Sequence, residues 1–437
     1  MQNNPSKKKK INLISLGCSK NLVDSESLMG QFQLNDFDVS FEGRSEGSDV
    51  VVINTCGFIN DAKQESIDTI LEHIEAKQRG EIGKIYVMGC LSERYARELK
   101  SEIPDVDQYF GVNDIKKIVE EMGGNYRYDL IGERKVTTPK HYAYLKISEG
   151  CDRRCTFCAI PGIRGKHKSK PLEQVIAEAR RLVAHGVKEI MLIAQDLTYY
   201  GIDLYKKNAF AQLLQSLSEI NGLQWIRLHY AYPAGFPTEI LKIISDNPKI
   251  CKYIDMPIQH VNNRILSLMQ RGHSREGTLK LLHEIRDAIP DVTLRTTLIV
   301  GFPGETEEEF QELLQFVKDF KFDRLGVFTY SHEEGTTAYR LEDNVPEDVK
   351  QQRLEAVMAA QQEISMDLNQ TKVGKTYKTI IDRLENGYYI GRMESDSPEV
   401  DNEVIIESPH SDIEIGEFYN VNIVKTDYFD LYGVISQ

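Results

Sequence analysis

The sequence has no apolar stretch long enough to cross a membrane, and no export signal follows the lysines near its start. It also has no surplus of basic residues. Its formal net charge of −14 disfavours a generic nucleic-acid binder, whose surface is normally basic. Cysteine is scarce, and seven cysteines without an export signal argue against a disulfide framework. These absences predict a cytoplasmic protein of two or three domains, whose reduced cysteines serve as metal ligands.

Three cysteines, Cys151, Cys155 and Cys158, lie in one short loop with the sequence GCDRRCTFCAIP. A cube of four irons held by three thiolates keeps one iron without a protein ligand, and that iron can bind a small chelating molecule. A zinc loop and three unrelated thiols are the alternatives. Zinc usually requires a fourth Cys or His at short range, whereas the next histidine, His167, lies in a basic context. The spacing therefore favours an iron–sulfur cluster with an open site.

The first segment, residues 10–124, repeats one pattern three times. A short apolar run rich in β-branched residues ends at a cysteine, and a polar loop then opens an amphipathic helix. The predicted helices cover residues 24–33, 62–77 and 92–101. A β–α–β series of this kind predicts a parallel sheet with buried strands.

The cysteines at the three strand ends are Cys18, Cys56 and Cys90. Ligands of open α/β sheets bind beyond the carboxyl ends of the strands, so these three thiols should share one edge of the sheet. The simpler interpretation is that cysteine packs well in cores. It suits one buried cysteine better than three at equivalent positions. We therefore expect a second cluster, again with three thiolates and an open iron.

A polar linker over residues 125–140 leads into a second segment, residues 141–369, which ends in a helical connector from Pro346. Six apolar runs alternate there with helices, which suggests an incomplete (β/α)6 parallel barrel. The cysteine loop follows the first strand and so lies at the carboxyl-terminal mouth, where such barrels have their active sites. The predicted strands cover residues 142–148, 189–195, 225–231, 253–259, 294–300 and 325–331.

Other residues at that mouth are candidates for binding a ligand. Gln195 and Asp196 end the second strand, and Arg295 lies within the fifth. Gly301 begins the sequence GFPGET, which is weak as a phosphate loop because the lysine of a P-loop is missing. A simple strand-to-helix turn explains it almost as well. Cys251 comes just before the fourth strand, and we expect it to be a packed core thiol.

The third segment, residues 371–437, alternates apolar and polar residues and contains frequent turns. Asn386-Gly387 is a strong hairpin signal, and the pattern predicts a small antiparallel barrel of about five strands. Six basic and thirteen acidic side chains give this segment a net charge of −7. Such a surface would repel RNA and attract a basic protein, or it could simply keep the domain soluble.

These motifs resemble those of a known family. The loop CDRRCTFC resembles the CxxxCxxC signature of the radical S-adenosylmethionine superfamily. With the upstream cysteines and the terminal barrel, the whole chain resembles the methylthiotransferases, which have an N-terminal cluster domain, a radical core barrel and a TRAM domain. The sequences LGCSKNLVDSE, YIDMPIQHVNNRILSLMQR and LIVGFPGET are similar to the ribosomal-protein branch, the RimO type. The sister MiaB type usually has a QSGS-like sequence where this chain has residues 259–262.

The resemblance implies an enzyme that inserts a methylthio group at the β-carbon of an aspartate in the twelfth small-subunit ribosomal protein. The MiaB alternative would modify an isopentenylated adenosine in transfer RNA. The implied cofactors are S-adenosylmethionine and two 4Fe–4S clusters. One cluster would cleave S-adenosylmethionine, and the other would carry the sulfur. The implied ligands are Cys151, Cys155 and Cys158 for the first cluster, and Cys18, Cys56 and Cys90 for the second.

The resemblance also implies that Gln195, Asp196, Arg295 and Gly301 contact S-adenosylmethionine. The superfamily's Gly-Gly-Glu appears here as Ala194-Gln195-Asp196, which leaves the contact made by this sequence open. The implied partners are the ribosomal protein or the ribosome, a reductase that supplies electrons, and a sulfur donor. We expect a monomer. A non-enzymatic electron-transfer protein is the remaining alternative.

A basic cluster surrounds the cysteine loop. It could orient the carboxylate of the substrate, or it could be an ordinary solvated loop. Its members are Arg153, Arg154, Arg164, Lys166, Lys168 and Lys170.

Overall fold

A computed structural model describes residues 8–128, 133–407 and 413–436. Residues 129–132 of the predicted linker and Asp412 of the acidic segment lie outside the described residues. The described chain divides into two compact units. The first unit takes the chain up to Thr137, together with Glu149–Asp152 and Ala159–Lys168. The second unit comprises Thr138–Ser148, Arg153–Cys158 and the chain from Ser169 onward.

The first unit contains a five-stranded sheet with the strand order β2-β1-β3-β4-β5, and all of its pairs are parallel. The predicted parallel sheet is therefore confirmed. The short strands β2 and β5 are additions at the two edges, where a strand needs no buried apolar run. The elements are β1 (Lys10–Ser15), α1 (Ser19–Leu34), β2 (Asp38–Phe41), β3 (Val50–Thr55), α2 (Asn60–Gln78), β4 (Lys84–Gly89), α3 (Cys90–Glu102), β5 (Gln108–Tyr109) and α4 (Ile115–Glu121).

Strand β3 shows why this sheet forms. All six of its residues are buried, and its apolar side chains alternate between two cores. Val50 and Val52 pack in the core that contains residues of α1 and α4, whereas Val51 and Ile53 pack in the core that contains residues of α2 and α3. A continuous apolar run is what a central strand covered on both faces requires.

The second unit contains a six-stranded parallel sheet with the order β13-β12-β11-β10-β9-β6, as predicted for the incomplete barrel. The strands and helices of residues 142–370 are β6 (Tyr142–Lys146), β7 (Ser148–Glu149), α5 (Ile160–Arg164), β8 (Lys168–Ser169), α6 (Leu172–Ala184), β9 (Glu189–Ile193), α7 (Ile202–Tyr205), α8 (Phe210–Ser218), β10 (Trp225–Leu228), α9 (Glu239–Asp246), β11 (Ile250–Asp255), α10 (Asn263–Leu268), α11 (Arg275–Ala288), β12 (Thr293–Val300), α12 (Glu307–Phe320), β13 (Arg324–Thr329) and α13 (Glu347–Gln370). Of these, α5 belongs to the first unit.

The fourth barrel strand begins earlier than predicted. Strand β11 begins at Ile250, so Cys251 lies inside the strand rather than just before it. Lys252 interrupts the apolar run in the sequence and hides the start of the strand. Cys251 is buried beside Trp225 and Tyr253. Burial raises the pKa of its thiol to about 12, in keeping with a packed core residue.

The terminal barrel is a closed five-stranded barrel with the order β14-β15-β16-β18-β17. Asn386 and Gly387 have positive φ angles at the turn between β14 and β15, which confirms the predicted hairpin. The predicted small antiparallel barrel of about five strands is confirmed, with the exception that β16 and β18 pair in parallel. The chain passes through β17 between these two strands, and they therefore run in the same direction. The strands are β14 (Thr376–Glu385), β15 (Tyr388–Met393), β16 (Val404–Ile406), β17 (Phe418–Thr426) and β18 (Leu431–Ile435).

No helix among the described residues combines the length and the apolar character needed to span a membrane.

Candidate cluster sites

The three N-terminal cysteines follow three neighbouring strands of the first unit. Cys18 is the N-cap of α1 after β1, Cys56 directly follows β3, and Cys90 is the first residue of α3 after β4. Strands β1, β3 and β4 are adjacent in the sheet. The first two loops lie close together, since a Cβ placed on Gly17, next to Cys18, would lie 3.0 Å from Sγ of Cys56. The structure thus brings together the three residues that the sequence predicted would meet.

Two glycines allow this close approach. Gly17 has a φ of 88°, and a Cβ placed on it would lie 2.7 Å from the Cβ of Cys56. Gly89 has a φ of 100°, and a Cβ there would lie 2.4 Å from Oδ1 of Asn54. Any side chain at either position would push the cysteine loops apart, and an L residue would also be strained at these angles. The loops can therefore come this close only because glycine occupies both positions.

Asn21 holds two of the cysteine loops together. Its amide group donates hydrogen bonds to the carbonyl of Leu16 at 2.9 Å and to that of Thr55 at 3.1 Å. It thereby joins the loop before Cys18 to the end of β3. Its Oδ1 lies 3.7 Å from Sγ of Cys90. The side chain is fully buried, so these hydrogen bonds are shielded from water.

A buried arginine faces the same site. The guanidinium of Arg164, on α5, donates to Asn21 at 2.5 Å and lies 3.6 Å from Sγ of Cys90. Asp24 and Glu149 each pair with it at 3.0 Å. Arg164 was predicted to belong to a basic cluster on the loop, either orienting substrate or solvated. Its side chain is only 2% exposed, so the solvated interpretation is wrong for this residue.

The Cys90 thiol is buried beside a cation. Burial raises the pKa of the Cys90 thiol to about 12, because burial outweighs the opposing effect of Arg164. Binding of iron would replace those protons. Across the described ranges, no three His, Cys, Asp or Glu residues are arranged to hold a single metal ion. A four-iron cube uses three thiolates differently from a single ion, since each thiolate binds a different iron.

The second candidate site is the CDRRCTFC loop, and its cysteines are described within their own units. Cys151 belongs to the first unit, where its N–H donates to the carbonyl of Gly165 at 3.1 Å. Cys155 and Cys158 belong to the second unit, and the N–H of Cys158 donates to the carbonyl of Cys155 at 3.2 Å. The tight turn between these two cysteines follows from their spacing of two intervening residues.

Two side chains that the sequence analysis missed contact Cys155. Nη1 of Arg271 lies 3.1 Å from its Sγ, and the hydroxyl of Tyr232 lies 3.5 Å from it. Tyr232 donates to the carbonyl of Arg271 at 2.6 Å, and its ring lies under the guanidinium at 4.3 Å. Arg271 is buried and also donates to the carbonyl of Pro257 at 2.5 Å. A fixed cation therefore stands beside this thiol. Arg271 ends the sequence YIDMPIQHVNNRILSLMQR, which resembles the family but does not by itself reveal this contact.

Asp196 and Arg295, two of the residues proposed to contact S-adenosylmethionine, are already engaged. The buried carboxylate of Asp196 accepts from the N–H of Thr198 at 2.9 Å and from Arg153 at 2.8 Å. Arg295 pairs with Asp401 at 2.6 Å.

Gly301 and Gln195 complete this set. Gly301 donates its N–H to the carboxylate of Glu305. Gln195 is half-buried just beyond the end of β9. The four residues thus follow or lie within strands of the barrel, as the sequence analysis expected.

The segment that separates the two branches of the family has a structural role here. Gln259 adopts a φ of 72° and forms a single bridge with Leu298 of β12. His260 is fully buried, and its Nε2 lies 3.1 Å from the carboxylate of Glu305 in the GFPGET turn. Arg353 of α13 holds the same carboxylate at 2.9 Å. GFPGET is therefore a strand-to-helix turn locked by a buried glutamate.

Three parts of the chain match known families. Residues 10–111 match the Uncharacterized protein family UPF0004, residues 145–317 match the Radical SAM superfamily, and residues 373–435 match the TRAM domain. Curated relatives match nearly the whole chain. The chain is 54% identical over 433 residues to the ribosomal protein uS12 methylthiotransferase RimO of Christiangramia forsetii. The alignment covers 99% of this chain and 96% of that relative. The RimO protein of Flavobacterium psychrophilum is 55% identical, with 99% of each chain covered.

The chain belongs to the RimO family of ribosomal protein uS12 methylthiotransferases.

Membership of the RimO family confirms the resemblance stated from the motifs and does not favour the MiaB alternative. Solved structures support the fold alone. The radical S-adenosylmethionine methyltransferase TsrM from Kitasatospora setae superposes with a TM-score of 0.55 at 13% identity, covering 74% of this chain and 75% of that one. The cobalamin-dependent enzyme OxsB gives a TM-score of 0.51 at 15% identity, covering 80% and 56%.

Proposed function

We propose that this protein is a radical S-adenosylmethionine methylthiotransferase that modifies an aspartate of ribosomal protein uS12 at its β-carbon. Full-length similarity to RimO proteins supports the reaction and the substrate. The convergence of Cys18, Cys56 and Cys90 at adjacent strand ends carries the proposal furthest, because a reaction that inserts sulfur needs a sulfur site besides the radical one. Bound S-adenosylmethionine and two 4Fe–4S clusters would supply the radical and the methylthio group.

The N-terminal trio would hold the sulfur-carrying cluster. Its three thiolates leave one iron open, and the described surroundings contain a buried cation rather than a fourth thiol. Asn21 and Arg164 would fix the loop geometry and balance the negative charge of the thiolates. Cys151, Cys155 and Cys158 would hold the radical-generating cluster. There Arg271 and Tyr232 keep Cys155 in place on the side of the second unit.

We propose that Gln195, Asp196, Arg295 and Gly301 belong to the S-adenosylmethionine site. Gln195 lies just beyond the end of β9, on the carboxyl-terminal side of the barrel strand. Asp196, Arg295 and Gly301 have their polar groups engaged by other parts of the chain, so we propose that they shape the pocket. Asp196 would act by holding Arg153, whose guanidinium also lies 4.0 Å from the ring of Tyr232.

The net charge of −7 on the terminal segment overstates how acidic its outer surface is, so it is weak support for a basic protein substrate. Asp382, Asp396 and Asp401 are buried, and each pairs with a cation or a histidine inside the second unit. Arg392 is buried as well. These groups do not contribute to the outer surface. The choice of uS12 over transfer RNA therefore rests on the family and not on charge. We further propose that a reductase and a sulfur donor serve the enzyme, which acts in the cytoplasm as a monomer.

The substrate assignment is tested with anaerobically reconstituted enzyme, S-adenosylmethionine and a reductant. Recombinant uS12 and a MiaB-type transfer RNA are supplied in separate reactions and then examined by mass spectrometry. We expect a methylthio mass increase on a uS12 aspartate and no change in the RNA. Modification of the RNA alone would contradict the proposed substrate. Intact S-adenosylmethionine under reducing conditions would instead support an electron-transfer protein.

A further inference from the structure

The segment Glu394–Asp401 leaves β15 of the terminal barrel and contacts the inner face of the six-stranded sheet. We call it the floor segment. Asp396 pairs with Arg324 of β13, and Ser397 lies 3.0 Å from Nε2 of His229. Asp401 accepts from Arg295 of β12 at 2.6 Å and from the hydroxyl of Tyr253 of β11 at 2.7 Å.

The floor segment also contacts the first strand of that sheet. The carboxylate of Glu399 accepts hydrogen bonds from the hydroxyls of Tyr142 and Tyr144, both at 3.2 Å. These tyrosines belong to β6, whereas Arg295 belongs to β12, and three strands separate β6 from β12 in the sheet order. Residues adjacent in sequence can contact both strands only if the sheet curves around them. The floor segment therefore lies inside the incomplete barrel.

The tip of this segment is exposed although its flanks are buried. Asp396 and Ser397 are fully buried, whereas Glu399 is exposed and Val400 is 54% exposed. Glu399 also adopts a φ of 70°, which a non-glycine residue keeps only where its surroundings hold it. The carbonyl of Val400 accepts from Arg295 at 3.2 Å, which fixes the other side of the tip.

One face of β12 lies on the same side of the sheet as the floor segment. Along β12, Arg295, Thr297 and Ile299 are half-buried, while the residues between them are fully buried. Alternate residues of a strand point to opposite faces, so one face of β12 borders an open space that begins at Arg295 and extends toward the carboxyl-terminal mouth. Val400 lies at the foot of that face. The cysteine loop lies beyond the other end of these parallel strands.

We propose that the floor segment closes the lower end of the reaction chamber and that Glu399 and Val400 contact the bound substrate there. This inference rests on the proposed function. Its substrate is a ribosomal protein, and such proteins are rich in basic residues. The carboxylate of Glu399 would pair with a basic side chain of the substrate segment that reaches this end of the barrel, while Val400 would contact an apolar part of the same segment. Glu399 would act as a positioning residue for the target carbon.

The decisive variant is Glu399→Gln, which removes the charge; its amide oxygen can still accept from one tyrosine hydroxyl, while its amide N–H can donate to the other. Glu385→Gln is the matched control, because Glu385 is an exposed acid of the same terminal barrel at the β14–β15 hairpin. Binding of uS12 to the cluster-free protein is measured at low and high salt. We expect Glu399→Gln to weaken binding about tenfold at low salt and to reduce the salt dependence, as for loss of one ion pair. Glu385→Gln should bind like the wild type.

Turnover gives a second, independent readout. In the reconstituted enzyme, Glu399→Gln should raise KM for uS12 with kcat little changed, and it should release more 5′-deoxyadenosine per methylthiolated product. Val400→Lys places a cation at an exposed position, so it should fold and should raise KM as well. Wild-type affinity, KM and product ratio in both variants would overturn the proposal. Failure of the wild type to modify uS12 would instead refute the proposed function.

Discussion

Arg164 shows how one side chain can organise a site. It is buried between Asn21, Cys90 and the carboxylates of Asp24 and Glu149, and the two carboxylates compensate its charge. A buried ion pair is a poor source of net stability, but removing one partner leaves the other charge uncompensated. Asp24 and Glu149 therefore depend on this guanidinium.

Replacing Arg164 by Met should destabilise the first unit by about 3 kcal/mol, because Asp24 and Glu149 would lose their cation. Amide hydrogen exchange of β1 and β3 in the cluster-free protein measures the effect locally. Arg79→Met is the control, since Arg79 pairs with Glu81 on the surface and both side chains are well exposed. We expect the control to leave exchange unchanged. If β1 and β3 in Arg164→Met were as protected from exchange as in the wild type, the contacts of Arg164 would contribute little to stability.

The buried imidazole of His273 should make the stability of the protein depend on pH. Burial and the nearby Arg271 lower the pKa of His273 to about 4. The unfolded chain takes up a proton on histidine as the pH falls through about 6.5. The folded chain binds fewer protons in the window between these values, so stability should fall as the pH is lowered across it. Urea midpoints between pH 7 and pH 4 should depend less on pH in His273→Asn, while the exposed His185→Asn keeps the wild-type dependence.

At the scale of elements, helix α12 has a start that the sequence encodes locally. Thr306 caps it, and the side chain of Glu309 binds back to the N–H of Thr306, which completes a capping box. Three glutamates occupy its first turn, where their negative charges interact favourably with the positive end of the helix dipole. This start holds the end of the GFPGET turn in place.

Replacing Thr306 by Ala should lower the free energy of unfolding by about 1 kcal/mol, because one N–H at the start of α12 loses its acceptor. Thr337→Ala is a matched control, since Thr337 precedes a short helical turn without making a side-chain cap hydrogen bond. Urea denaturation of both variants gives the comparison. A loss of equal size in the two variants would contradict the capping argument.

The sequence predicted the elements well where the signal was local. The cysteines of the first unit could be placed at one sheet edge because parallel strands share the direction of their carboxyl ends. Arg164 was misjudged because a basic run does not reveal which member is buried. The floor segment was missed because its partners, such as Arg295 and Tyr253, lie more than ninety residues away in sequence. The parallel pair β16–β18 was missed because alternating polar and apolar residues indicate a strand but not the direction in which it pairs.

At the scale of the whole molecule, the terminal barrel and the radical barrel share buried charges. Glu189 of β9 pairs at 2.8 Å with both Arg227 and Arg392, and all three side chains are at most 2% exposed. Trp225, the single tryptophan of the chain, packs edge-on against Phe418 of the terminal barrel at 4.8 Å. We therefore expect the two barrels to unfold together.

Replacing Glu189 by Gln should lower the stability of the second unit by about 3 to 5 kcal/mol, since two buried guanidinium groups would lose their shared carboxylate. The fluorescence of Trp225 during urea unfolding reports the change, because its contact with Phe418 is lost when the barrels separate. The exposed Glu385→Gln should keep the wild-type midpoint. Two separate transitions in the wild type would contradict joint unfolding.

The most direct test of the account is a count of iron and sulfide per chain after anaerobic reconstitution. The wild type should bind roughly eight irons, and Cys18→Ala and Cys151→Ala should each retain about half, because each removes a ligand from a different cluster. Cys251→Ala, which alters a buried core thiol, should retain all of the iron. Full iron in Cys18→Ala, or loss of all iron in either ligand variant, would contradict two independent cysteine trios.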